Sequence, residues 1–172
     1  QSDKITVPVS TNLSWMDFYD EKIMNWLEKK CADVSMPSGL SRMEITETSY
    51  AAIEADRSAT LEALRDAGIL LLLDDFGSGY SSFGMLQNNN FDIMKIDMSF
   101  VRQIETNTKT RSIIRFIIEM AHTMDIKIIA EGAETKEQVE FLRDNGCDYI
   151  QGYYFYKPMP EEEFVKLLDA GR

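Results

Sequence analysis

The chain reads as an α/β protein built on a parallel sheet, and three observations carry that reading. Strand-like and helix-like segments alternate six times, the strand-like segments are apolar almost throughout, and polar residues recur at their C-terminal ends. Alternation with continuously apolar strands means a parallel sheet whose faces are both covered.

The elements follow in order. Residues 5–13 are rich in β-branched side chains and read as a strand ending near Asn12, and residues 17–30 place Phe18, Ile23, Met24 and Leu27 close to helical spacing. After the turn at Pro37–Gly39, residues 40–46 read as a short strand and residues 50–67 as a helix stopped by Gly68. An apolar strand over 69–75 runs into Asp74 and Asp75, followed by a short helix over 80–88 and a strand over 91–97. A long helix over 109–124, a strand over 126–130 leading into Glu131 and a helix over 136–145 come next. A short strand at 149–150 and a closing helix over 161–170 complete the pattern. No Pro/Gly/Ser-rich linker or low-complexity stretch interrupts it, so residues 1–172 read as one domain.

The polar residues choose among parallel folds. Asn12, Glu44, Asp74 with Asp75, Lys95, Glu131 and Gln151 lie 20 to 36 residues apart, about one βα unit each time. In an open doubly wound sheet only residues near the switch point converge. In a (β/α)₈ barrel every strand end points at one site, so this distribution predicts a TIM-type barrel. With 172 residues the chain holds about six βα units, roughly two short of the eight that a barrel requires.

Composition removes several function classes. The formal charge of −11 leaves no basic stripe for DNA or RNA duplexes, yet admits a small anionic ligand if metal ions supply positive charge. The longest apolar run, Ile69 to Leu73, ends at two aspartates, far short of a membrane span. The N-terminus has no basic region followed by an apolar one, which speaks against a secretory signal and makes the Asn12-Leu13-Ser14 sequon coincidental; a start at Gln1 suits an internal piece of a longer chain. Cys31 and Cys147 have no metal or redox spacing, so a reduced, cytoplasmic setting is expected.

The sharpest motif is Asp74-Asp75-Phe76-Gly77-Ser78-Gly79. Two adjacent carboxylates at the end of a buried strand are costly as bare charges, and divalent cations shared between them remove that cost. Hard oxygen donors suit Mg²⁺ or Mn²⁺, and the glycines let the backbone turn close to a phosphate. The plainer reading has one aspartate cap the next helix while the other is solvated. Glu44 sits inside an apolar strand, whereas Glu47 also fits an ordinary helix start. Lys95 is a lone cation in a strand, suited either to a simple ion pair or to orienting water beside metals. Glu131 fits a metal ligand, a base or a cap equally well. His122 reads as a surface or packing residue, and the ten methionines as core filler.

Taken in order, TNLS (11–14), EITE (44–47), DDFGSGYSS (74–82), KID (95–97), AEGAET (130–135) and QGYYFYKP (151–158) closely resemble the EAL domain family. The resemblance implies a modified TIM barrel that hydrolyses the bacterial messenger cyclic di-GMP to linear pGpG with two Mg²⁺ or Mn²⁺ ions. By the same resemblance, Asn12, Glu44 and Asp74 match ligands of the first metal, and Asp74, Asp75 and Glu131 those of the second. Lys95 matches the lysine that holds the attacking water, and Glu131 also matches its base. Glu47 matches the glutamate anchoring loop 76–83, which contains Gly77, Ser78 and Gly79, and Gln151 a polar, water-binding position.

The sequence also departs from the family. The Glu-Ala-Leu motif of its first strand, whose glutamate binds the first metal, is absent, so the chain is expected to be the C-terminal two-thirds or more of the domain. Ser78 replaces threonine and Ala133 valine, and Met98 stands where arginine is common. The implied setting is a bacterial signalling protein with sensory or GGDEF modules, able to form a homodimer and membrane-anchored, if at all, through another domain. The rival implication is a non-catalytic EAL-like receptor for cyclic di-GMP or a partner protein; the presence of the other motif residues favours the enzyme. A fragment without independent function is the third reading, since open sheet edges favour strand exchange.

Overall fold

The computed structural model describes residues 7–33, 39–52, 58–77, 86 and 91–170. Its elements are β1 (Val9–Asn12), α1 (Trp15–Tyr19), α2 (Glu21–Asp33), β2 (Ser41–Thr46), α3 (Glu47–Ala52), α4 (Ser58–Asp66) and β3 (Leu70–Phe76). They continue with β4 (Ile93–Ile96), α5 (Met98–Val101), α6 (Thr108–Thr123), β5 (Lys127–Glu131), α7 (Lys136–Asp144), β6 (Tyr149–Gln151) and α8 (Glu161–Ala170). All neighbouring strands pair in parallel, and their order across the sheet is their order in the chain. A sheet wound in one direction has no switch point; it is the wall of a TIM-type barrel, here six strands wide.

The two faces of this wall have different compositions. Met43, Ile45, Leu71, Leu73, Met94, Ile96, Ile128 and Ala130 face the helices and join one large core with Leu64, Ile114, Ile118 and Leu142. Residues one step out of phase make the inner face, where Leu72, Ile93 and Ile129 form a small apolar layer. Period-2 alternation thus assigns each strand residue to the helix layer or the barrel interior.

Aspartates ahead of two strands tie their neighbours in place. Asp92 Oδ2 accepts the Leu71 N–H of β3 at 2.8 Å, and its Oδ1 lies 3.6 Å from Arg65. Asp148 Oδ2 lies 2.9 Å from both the Ile128 N–H of β5 and His122 Nε2. Burial raises the Asp148 carboxyl, but bonding to His122 and Ile128 outweighs it and holds the group below its ordinary value. The ionised form therefore stabilises the fold above the ordinary carboxylate range, and that contribution is lost as pH falls through the lowered folded value. We expect Asp148→Ala to destabilise the chain by about 1–2 kcal/mol at pH 7, the gap narrowing below pH ~4. Urea melts at several pH values check both the size and the direction.

Gly152, just after β6, lies against Ala133, whose N–H donates to Gln151 O at 3.1 Å and whose carbonyl accepts from Tyr154 N at 3.0 Å. A Cβ at position 152 would stand 2.1 Å from Ala133 O and 2.4 Å from Ala133 N. The obstacle is backbone and cannot swing aside. Gly152→Ala is expected to lower stability by about 2 kcal/mol, measured by thermal melting.

The helix expected over 17–30 is two helices, because Asp20 adopts an extended conformation (φ −87°, ψ 99°) that ends α1. Its Oδ1 then accepts the Lys22 and Ile23 N–H groups and starts α2. Ser14, part of the sequon-like triplet, caps α1. Helix α5 was not expected; Asp97 initiates it by accepting the Ser99 N–H at 2.9 Å. The single helix expected over 50–67 is described as α3 and α4, with 53–57 outside the described residues. The helix expected over 80–88 also lies outside them, except for helical Leu86. Methionine is core filler at Met24, Met43 and Met94, but Met16, Met98 and Met124 are exposed. Burial pushes the Cys147 thiol up to about 12. Among the described residues, no helix is long and apolar enough to cross a membrane.

Candidate active site

At the C-terminal end of the sheet, four consecutive strands deliver charge to one point. Glu44 from β2, Asp74 from β3, Lys95 from β4 and Glu131 from β5 all lie on the inner face, above the Leu72–Ile93–Ile129 layer. Lys95 Nζ lies 2.6 Å from Glu44 Oε2, 2.9 Å from Asp74 Oδ1 and 2.8 Å from Glu131 Oε1. The lysine is 5% exposed and Asp74 8%, so this is a largely desolvated cluster.

Adjacent strand residues point to opposite faces, so Asp75 should face the helices. A β-bulge prevents it. Leu73 pairs with Met94 and Phe76 with Ile96, so β3 spends one more residue than β4 over the same span. Asp75 occupies that bulge at φ 56°, in the left-handed region where aspartate is among the few non-glycine residues tolerated. As a result, carboxylate oxygens of Asp74, Asp75 and Glu131 come within 4.8 Å of one another. Asp74 Oδ1 also accepts the Asp75 N–H at 2.9 Å, which helps hold the bulge.

One ammonium faces four carboxylates in this cluster. Burial works against the charge on Lys95, but hydrogen bonds to Glu131, Glu44 and Asp74 outweigh it and raise the lysine above its ordinary value. Burial raises Glu131, with Asp74 and Glu44 adding to the effect while Lys95 opposes it. Burial also raises Asp75, reinforced by Asp74 and Asp97. The donors are all hard oxygens in negative excess, and this set fits divalent cations of the Mg²⁺/Mn²⁺ kind. Among the described residues, Asp74, Asp75 and Glu131 are grouped closely enough to share one.

A sequence model of the EAL domain matches residues 1–158. The chain belongs to the EAL domain family. The probable cyclic di-GMP phosphodiesterase PdeB of Escherichia coli (strain K12) is 37% identical over 158 residues, which is 92% of this chain and 30% of that protein. The EAL domain of Mycobacterium smegmatis DcpA matches the fold with a TM-score of 0.86 at 29% identity, over 96% of this chain and 74% of that one. A Klebsiella pneumoniae BlrP1 structure, a manganese/cy-diGMP complex, matches with a TM-score of 0.78 at 28% identity, over 87% and 38% of the two chains. The chain spans less than a third of the length of the curated relatives it matches.

Around the EAL cluster, the remaining sequence candidates take more peripheral places. Asn12 ends β1 in register with Glu44, and Gln151 ends β6 in register with Glu131; both are exposed. Glu47 is 7% exposed at the start of α3, and its Oε1 accepts the Gly77 N–H at 3.1 Å, tying α3 to the turn after β3. Gly77 makes that turn at φ 94°. Ser78 and Gly79 lie outside the described residues. His122 is on the surface beside Asp148, away from the cluster. Asp97 was missed as a site residue, although it stands two positions after Lys95 and acts electrostatically on Asp75. Its place in the KID triplet was the available signal.

Proposed function

We propose that this domain hydrolyses cyclic di-GMP to linear pGpG by two-metal phosphodiester cleavage. The observation that carries the reading is the convergence of Glu44, Asp74 and Glu131 on Lys95, with Asp75 turned into the same site by the β3 bulge. The names of PdeB and of the BlrP1 complex support the nucleotide and the use of a divalent ion.

Asn12, Glu44 and Asp74 would hold one ion, and Asp74, Asp75 and Glu131 the second. The ions would supply Lewis acidity, activating water and offsetting charge on the phosphoryl oxygens. Lys95, released from part of its carboxylate contacts, would hold the attacking water with its ammonium. Glu131, whose proton affinity burial raises, would accept the water proton as the water oxygen bonds to phosphorus and the P–O3′ bond breaks. The departing 3′-oxygen leaves with a proton from solvent. Glu47 would keep the Gly77 turn at the site's rim, Ser78 and Gly79 would belong to the loop it anchors, and Gln151 would order water at the far edge.

In the same proposal, residues 1–172 are the C-terminal part of the domain, and the Glu-Ala-Leu glutamate of the first metal site lies outside them. The parent is a cytoplasmic signalling protein, carries sensory or GGDEF modules and pairs as a homodimer. Size-exclusion chromatography of the parent protein tests the pairing.

The test of activity is chromatographic detection of pGpG from cyclic di-GMP, with Mn²⁺, with Mg²⁺ and with EDTA, repeated with the upstream strands restored. Metal-dependent pGpG from the restored domain is the expected result. Tight binding without turnover by that domain would replace hydrolysis with a receptor role.

A further inference from the structure

Strand β4 is too short to separate the two groups of carboxylates it divides. It ends at Ile96, which pairs with Phe76 on one side and Ala130 on the other. Gly77 on β3's side, and Glu131 with Gly132 on β5's side, therefore lie just beyond the last residue of β4 that pairs with its neighbours.

The chain fills that gap with α5, the four-residue turn that follows Lys95 through Asp97. Two side chains of α5 rest on two glycines in the left-handed region, Gly77 at φ 94° and Gly132 at φ 73°. A Cβ at Gly77 would stand 2.6 Å from Phe100 Cε2 and 3.0 Å from Phe100 Cζ. A Cβ at Gly132 would stand 2.6 Å from Met98 Cβ and 3.5 Å from Met98 Cα. At Gly132 the obstacle is Met98 Cβ, which cannot swing aside, so α5 seats there because position 132 carries no side chain; at Gly77 it is the rim of the Phe100 ring, packed onto the bare backbone. Gly77 is also gripped from its other side, where Glu47 accepts its N–H.

We propose that α5 is a positioning clamp: Phe100 on Gly77 and Met98 on Gly132 set the separation between the Asp74–Asp75 bulge and Glu131, and hence the fit of the carboxylates to divalent ions. Phe100 and Met98 are positioning residues, acting on the carboxylates through Gly77 and Gly132. Met98 also departs from the family's common arginine, yet its contact with Gly132 is made through Cβ, which either residue supplies. The inference rests on the metal-site reading given under Proposed function and goes beyond it by naming what sets the site's width.

The experiment is Mn²⁺ binding to the domain with its upstream strands restored, measured by the electron paramagnetic resonance of free Mn²⁺, with circular dichroism reporting folding. Phe100→Ala empties the space over Gly77 and is expected to weaken Mn²⁺ binding about tenfold in the folded protein, with Phe100→Leu recovering most of it. Gly132→Ala should weaken binding similarly, and the double change Gly132→Ala with Met98→Gly should recover part of it, because removing the Met98 Cβ reopens the space. A purely packing role would lower the melting temperature and leave the Mn²⁺ affinity of the folded fraction unchanged. That outcome, in both Phe100→Ala and Gly132→Ala, overturns the proposal. Because the readout is binding, a chain that holds Mn²⁺ with these shifts but does not cleave cyclic di-GMP would sink only the hydrolytic reading. A restored domain that binds no Mn²⁺ would sink both.

Discussion

Replacing Lys95 with methionine lowers the stability of the metal-free chain by about 3–5 kcal/mol, the range seen when one partner of a buried ion pair is removed. Lys95 is the ammonium that stands against Glu44, Asp74 and Glu131, all within 2.9 Å of its Nζ. Without it these carboxylates, together with Asp75, repel one another in a largely desolvated pocket. Protonation relieves that repulsion, so the deficit of Lys95→Met is greatest from neutral to mildly alkaline pH, shrinks as the solution becomes acidic, and shrinks again above the ordinary lysine range, where the raised lysine loses its advantage over the unfolded chain. Mn²⁺ offers a second relief: added ion stabilises Lys95→Met more than the parent chain, because it takes over a charge role that the lysine otherwise fills. In the domain with its upstream strands restored, cyclic di-GMP turnover by Lys95→Met is nonetheless expected about 10²–10³-fold below that of the unsubstituted domain, since a positioned donor is missing. Thermal melts with EDTA and with Mn²⁺, across pH, check the stability claim. Equal stability of variant and parent in EDTA at pH 8 would show that the lysine is not what balances the cluster.

Asp75→Asn should move stability and activity in opposite directions. Asp75 is raised by burial and then by its neighbours Asp74 and Asp97, so its ionised form is held at a disadvantage in the folded chain. A group whose folded value lies above its unfolded one costs nothing at low pH, where both states are protonated. The cost enters as pH rises above the ordinary carboxylate range and is complete above the folded value. Asparagine removes the charge, keeps nearly the same shape and tolerates φ 56° as well as aspartate does. The metal-free variant should therefore melt roughly 2–4 °C higher at pH 7 and show no gain at pH 3. In the domain with its upstream strands restored, it should also bind Mn²⁺ more weakly and hydrolyse cyclic di-GMP at least ~10²-fold more slowly, because a carboxylate proposed for the second metal is gone. This is the stability–activity trade-off expected where a site stores like charges for a ligand. Scanning calorimetry and the pGpG assay measure the two halves separately.

Much of this site is legible in the residues alone, for identifiable reasons. Asn12, Glu44, Asp74, Lys95, Glu131 and Gln151 stand out because each is a polar residue within, or at the C-terminal end of, a strand-like segment at βα-unit spacing; parallel strands wound one way bring Glu44, Asp74, Lys95 and Glu131 together, while Asn12 and Gln151 stay at the periphery. Glu47 stands out only through its motif, and the structure shows its Oε1 accepting the Gly77 N–H. His122 was set aside correctly as a surface group, although its tie to Asp148, and through it to Ile128, depends on two loops meeting. The break at Asp20 and the helix α5 were missed because side-chain-to-backbone bonds at Asp20 and Asp97 outweigh the weak local preference of short segments.

The amino-acid sequence by itself determined the parallel α/β wall, the family and the set of charged strand ends, since these follow from hydrophobic period and from residue type at βα-unit spacing. Tertiary structure alone decided how Asp75 joins Asp74. Strict alternation sends adjacent strand residues to opposite faces, and only the register between β3 and β4, with one extra residue between Leu73 and Phe76, reverses that rule. The same holds for Lys95: its position in the sequence allowed one partner or several. The lengths of β2, β3, β4 and β5 and the registers between them place three carboxylates around one ammonium, because side chains on neighbouring strands meet only where the ladders align them.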